Sequence, residues 1–235
     1  RVNAHFSLPK MAEIRGMEKV LTTVFNWMYI ISIFISLTFL ITISKRKDLP
    51  INLRFLYLYP VVAILIFGCY LLWWFGIIER NTYELINSIS LFYHFGFLGA
   101  FILFEIHNEK LKKLAKYLFV IFLIALTLGV YFRTDTWHID VIAAYMGLFI
   151  ISTLYFINIF VEVPNTQLSK IPSFWIIIGI FLHMVINIPP LTLVPYIKTY
   201  FPESYVIIVI ISLSAAIVMY LSFIKGVICI KTHHK

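Results

Sequence analysis

"FWIIIGIFLHMVINIPPL", residues 174–191, is apolar enough to sit in lipid, yet it carries His183, Asn187 and the adjacent Pro189 and Pro190. A run of this kind is about the length a helix needs to cross some 30 Å of hydrocarbon at roughly 1.5 Å per residue. Polar groups inside such a run are costly unless they face a bundle interior or a wet cavity. The rest of the chain must therefore supply neighbours for them.

Across all 235 residues, 61% are hydrophobic and 13% charged, with a mean hydropathy of +0.93. One soluble core of this size cannot bury so much apolar surface. Seven segments have the composition of membrane helices: 20–44, 54–78, 83–107, 115–133, 138–161, 174–196 and 204–230. Their continuous apolar runs suit helices rather than barrel strands, which would alternate. The expectation is an all-α polytopic bundle of seven transmembrane helices. A polar segment at 1–19 precedes the single membrane domain at 20–230, and a basic tail follows at 231–235. The chain begins with Arg1, so Met11 or Met17 is a candidate native start.

Charge sets the expected orientation. Lys45, Arg46, Lys47, Arg54, Lys110, Lys112, Lys113, Lys116, Lys170, Lys225, Lys231 and Lys235 fall on one side, twelve cations in all. Seven fall on the other: Arg1, Lys10, Arg15, Lys19, Arg80, Arg133 and Lys198. The positive-inside rule puts the N-terminus outside and the C-terminus in the cytoplasm. The formal net charge of +8 is thus a matter of topology; no basic domain for nucleic acid is evident. The loop "EIHNEKLKKLAK" reads first as an anchor on anionic lipid and second as a docking surface.

Two spans concentrate the polar groups. In the third, Glu84, Asn87, Ser88, His94 and Glu105 share a broad stripe, with His94 near the middle. In the sixth, Gly179, His183 and Asn187 follow i, i+4 spacing and share a face. His94 and His183 are expected at similar depth, with Tyr93 and Tyr145 nearby, an arrangement suited to ligand hydrogen bonding or to proton sensing. The candidate ligand-binding set is therefore His94, His183, Asn187, Asn87, Glu84, Tyr93 and Tyr145. The plainer alternative is that each polar side chain only bonds a neighbouring helix. Pro189 and Pro190 lack N–H donors, so the sixth helix is expected to kink or stop near Asn187, leaving an irregular outer end. Pro60 lies in the first turns of the second span, where proline is tolerated. Gly96, Gly99 and Ala100 offer a small-residue surface for assembly into an oligomer.

Catalytic chemistry finds little support. There is no HExxH or HxxxH pair, no GxSxG, no Walker A sequence and no dinucleotide fingerprint, so neither a metal nor a cofactor is expected and the chain reads as a non-enzyme. Lys225 falls about 20 residues along the last span, too near its inner end to face the middle of the bundle. Cys69 and Cys229 fall at different depths and are not expected to pair.

The stretches "NTYELINSISLFYHFGFLGAFILFEIHNEKLKKLAKYL" and "LSKIPSFWIIIGIFLH" carry Asn81, Asn87, the basic loop, Pro172, Phe174, Trp175 and Gly179. Over residues 54 to 190 this pattern resembles the seven-helix membrane regions that precede histidine kinase domains in Bacteroidota, and their free-standing relatives. The resemblance implies a sensory module in a bacterial inner membrane. His183 stands where an aromatic such as Tyr is commoner, and no kinase region follows the last span. Output through a cytoplasmic signalling protein is then implied, unless the chain is a fragment of a longer protein. The competing expectations are a small-molecule transporter gated at the end of the sixth span and, further off, an intramembrane metal-dependent hydrolase.

Overall fold

A computed structural model describes residues 23, 27, 30–45, 53, 56, 58–132, 139–162, 167–201 and 205–229. Among these residues the chain is all-helical. The helices are α1 (Ile30–Ser44), α2 (Leu58–Trp74), α3 (Arg80–Glu105), α4 (Glu109–Tyr131), α5 (Ile139–Glu162), α6 (Pro172–Tyr200) and α7 (Tyr205–Cys229), with a 3₁₀ turn at Leu168–Lys170. Five of them are long and apolar enough to cross a membrane: α3 to α7. Helices α1 and α2 are shorter apolar helices over the described residues. The expected polar segment at 1–19, the tail at 231–235 and the loop residue Arg133 lie outside the described residues.

The surface identifies the solvent that the fold is built for. On α4, Tyr117, Val120, Ile121, Ile124, Leu128 and Tyr131 are each more than half exposed and recur at helical spacing. The buried residues of that helix are only Ala115, Leu126 and Gly129. In water a continuous apolar stripe of this kind would drive association, whereas in a bilayer it is the lipid-facing side. These features make the chain a multi-pass α-helical membrane protein.

The start of α4 shows how local chemistry moves a boundary. The helix begins at Glu109, not at 115, because the Asn108 side chain accepts from the backbone N–H groups of Lys110 and Leu111 and caps the first turn. The backbone N–H of Asn108 in turn donates to Asn158 Oδ1 at 2.8 Å, tying the α3–α4 connection to α5. Lys110, Lys112, Lys113 and Lys116 are consequently helical residues at one end of the bundle.

At the opposite end of α2, Gly76 adopts φ +70° while its N–H bonds the Trp73 carbonyl, and Ile77 N–H bonds that of Leu72. This is a Schellman termination, and glycine is the residue that takes its left-handed backbone without strain. Pro60 sits in the first turn of α2, as its sequence position implied.

The proline pair behaves otherwise. Helix α6 continues from Pro172 through Pro189, Pro190 and Pro195 to Tyr200, so the stop or irregular end expected near Asn187 is absent. Side chains add bonds to the helix backbone on either side of the pair: Asn187 Nδ2 donates to the His183 carbonyl at 2.7 Å, and Thr192 Oγ1 to the Pro189 carbonyl at 2.7 Å. The carbonyls that lose an N–H partner to the pair are those of Val185 and Ile186, four residues earlier, so the helix runs through the prolines with two bonds fewer instead of ending there.

The most extensive helix contact joins α6 to α7. A Cβ on Gly179 would lie 2.7 Å from Ser222 Cβ and 3.1 Å from the Met219 carbonyl oxygen, and one on Gly226 would lie 2.8 Å from the Pro172 carbonyl oxygen. The two glycines therefore allow the backbones to approach closely. Gly99 is used within the fold as well, against the Phe119 ring of α4. Gly179→Ala is expected to destabilise the protein by about 1–3 kcal/mol through overpacking. Gly96→Ala, with nothing within 4 Å of its added carbon, should be neutral or slightly stabilising. Thermal unfolding of the two variants in detergent measures the contrast.

Candidate functional site

His94 and His183 are brought to one level by simple geometry. His94 stands eleven residues before the end of α3 at Glu105, and His183 eleven residues after the start of α6 at Pro172. Both ends lie on the lysine-bearing side, so each imidazole sits about 17 Å in from it at roughly 1.5 Å per residue. The two side chains line one cavity of about 190 Å³ among α2, α3, α5, α6 and α7. Its wall is mostly apolar, with Leu91, Phe95 and Leu148 prominent, and its polar members are His94, His183, Tyr59, Tyr145, Ser212 and Tyr220. Among the described residues no Asp, Glu, Lys or Arg lines it.

His183 is held by Tyr145, by Asn187 and by the backbone of Ala215 on α7. Tyr145 Oη of α5 lies 3.4 Å from its Nε2, and the rings are 5.6 Å apart. On its other side, Asn187 Nδ2 lies 3.2 Å from Nδ1 and donates to the His183 backbone carbonyl. One turn of α6 thus packages an imidazole and the amide that orients it. Asn187 is fully buried, and its Oδ1 has no hydrogen-bond partner among the described residues. His94 differs, because its Nδ1 is buried without a partner among the described residues. An unpaired buried polar atom costs about 1–3 kcal/mol, and such atoms accumulate where a site does more than pack.

Tyr59 of α2 organises the other wall. Its ring lies 5.3 Å from that of His94, 6.0 Å from Tyr220, 5.9 Å from Phe97 and 5.8 Å from Phe223. The Tyr220 hydroxyl interacts with the hydroxyls of Tyr59 and of Ser36 on α1. Phe223 also meets Phe39 of α1 at 5.5 Å, so the aromatic cluster carries contacts from the cavity into the first helix.

Of the residues expected to form a site, His94, His183 and Tyr145 line the cavity. Asn187 stands behind His183 and reaches the site only through it. Tyr93 does not line the cavity; its ring stacks near Tyr59 and Phe97, and its buried hydroxyl has no partner among the described residues. Asn87 and Glu84 do not reach it. They lie seven and ten residues before His94 on α3, about 10 and 15 Å along the axis. Sequence reading passed over Tyr59, Ser212, Met184, Met219 and Tyr220. The available signal was a tyrosine well inside a span instead of at its interfacial end, which holds for Tyr220 at the sixteenth position of α7.

Toward the lysine-bearing end, a polar layer joins the helices below the cavity. Tyr155 Oη donates to Ser173 Oγ at 3.1 Å, Trp175 Nε1 to the Ser169 carbonyl at 2.8 Å, and Cys229 Sγ contacts the same carbonyl at 3.6 Å. Lys225 is exposed and lies 5.7 Å from the Trp175 ring centroid. Its ammonium is therefore at the rim, as its place along the span implied.

Comparison with protein families, curated proteins and solved structures finds no match to this chain. The cavity itself thus carries the functional reading. Tyr59→Ala is expected to cost about 3–5 kcal/mol, since it removes the ring on which the cluster converges. Tyr59→Phe, which deletes only the hydroxyl, should cost about 0.5–1.5 kcal/mol. Unfolding of both variants in detergent separates packing from hydrogen bonding.

Proposed function

We propose that this protein is a non-enzymatic membrane sensor. A small ligand binds among α3, α5 and α6, and the response passes to a cytoplasmic signalling protein. The observation that carries this reading is the 190 Å³ cavity, in which polar groups from five helices converge on an otherwise apolar interior. Ligand sites commonly have this character: apolar walls with a few placed polar groups. The resemblance to membrane regions preceding histidine kinase domains supports the same reading.

The mechanism is a shift between two helix packings, biased by the ligand's differential affinity for them. Helix α6 bears His183 in the cavity and Ser173 and Trp175 in the polar layer, so a displacement of that helix is transmitted along its axis. A transporter is a weaker reading, because the gate would have required a broken α6 and the helix is continuous. Replacement of both His94 and His183 by Phe is expected to abolish the response while the helical content is kept. Unchanged output in a reporter strain would refute the site.

The accompanying topology has seven spans in a bacterial inner membrane, with the N-terminus outside and the lysine-bearing end of α4 in the cytoplasm. A single cysteine at Lys113, with Cys69 and Cys229 replaced by Ala, is expected to resist an impermeant maleimide in intact cells. It should react after permeabilisation; labelling of intact cells would reverse the topology.

A further inference from the structure

Resting on the sensor reading, the hydrogen-bond pattern around His183 also selects the chemical class of the ligand. The amide nitrogen of Asn187 lies 2.7 Å from the His183 backbone carbonyl. A carbonyl only accepts, so the group facing it is the NH₂, which fixes the amide orientation. The same NH₂ lies 3.2 Å from His183 Nδ1, which must then be the accepting nitrogen. In the neutral ring the proton resides on Nε2, where the Tyr145 hydroxyl at 3.4 Å accepts it and keeps its own O–H to donate elsewhere. The His183–Tyr145 pair thereby presents a donor, the Tyr145 O–H, toward the cavity.

This assignment opposes metal binding through Nε2, although Met184 and Met219 line the same space. A histidine that coordinates through Nε2 normally donates from Nδ1 to an acceptor, and here Nδ1 meets a donor. Among the described residues the lining has no charged side chain to balance an ionic ligand, whose desolvation would go uncompensated. A dry cavity of about 150 Å³ suffices for benzene, so 190 Å³ admits one substituted ring. Phe67, Phe95, Tyr59 and Tyr145 provide faces and edges for such a ring.

We infer that the site takes a neutral, single-ring compound whose carbonyl oxygen accepts from the Tyr145 hydroxyl, which itself accepts from Nε2 of His183, with Asn187 as the positioning residue that holds the proton on that nitrogen. His94, its Nδ1 unpartnered among the described residues, faces the same cavity from α3 and offers the ligand a second polar neighbour.

The test uses 4-fluoroacetophenone as probe, observed by fluorine NMR with the purified full chain in lipid nanodiscs and with empty nanodiscs as the partition background. A saturable bound resonance is expected with the protein alone. Acetophenone should displace it at about tenfold lower concentration than α-methylstyrene, its hydrocarbon isostere, as one neutral hydrogen bond implies. Benzoate should not displace it. His183→Phe should lose the resonance. In Asn187→Leu, with helical content checked by circular dichroism, the preference for acetophenone over the hydrocarbon should fall below about threefold as the ring proton is released from Nε2. Nitrogen-15 NMR of ring-labelled histidine should place the His183 proton on Nε2 in the unsubstituted chain.

Equal competition by the hydrocarbon, displacement by benzoate, a proton on Nδ1, or no saturable resonance each overturns the ligand class. The sensor reading fails separately: if the probe binds as described but the His94→Phe, His183→Phe variant still signals, the ligand class stands and the sensory role does not.

Discussion

Asn187 binding back onto His183 is the contact on which the interior of this protein depends. Within a span, water is not available to satisfy an amide or an imidazole, so the bonds each makes within the chain decide which way it faces. The i, i+4 spacing supplies such bonds within one turn, through the amide nitrogen to the carbonyl and the ring nitrogen. The imidazole is thereby committed to the bundle side of α6, against Tyr145, while Leu182, Val185 and Ile186 take more exposed positions.

Packing around that turn follows from residue size. Gly179 lets α6 close upon α7 one turn before His183, and Gly147 of α5 receives the rings of Phe95 and Phe122. Small residues thus bring the helix backbones together, while the large aromatics fill the space nearer Tyr59. What is left open between them is the cavity. Its chemistry is set by which polar side chains are too firmly held to turn away: Tyr59 and Tyr220 by the aromatic cluster, and His183 by Asn187.

The polar layer at the lysine-bearing end has a different character. Its bonds link Ser169, Ser173, Tyr155 and Cys229 across connections and helix ends, and the Asn108–Asn158 bond anchors the start of α4. The two levels share α6 as their common element.

Much of the architecture was legible in composition, because a span in lipid must be long, apolar and helical for its backbone to be satisfied. The expected ranges for the last three spans agree closely with α5, with the apolar part of α6 and with α7. The pairing of His94 with His183 in depth was legible too, since rise per residue counts equally from the two helix ends. Pro189 and Pro190 misled, because the loss of two i→i−4 bonds weakens a helix without ending it where lipid offers the backbone no other partner. Tyr59 and Ser212 were out of reach for another reason: which side of α2 and α7 faces α3 is a matter of rotation about the helix axis. In helices apolar all round, rotation is decided by interhelical packing, not by periodicity. The amino-acid order by itself determined that these helices form and where the imidazoles stand along them; the tertiary contacts alone decided which walls enclose them, because only packing chooses a helix face when lipid and protein interior are equally apolar.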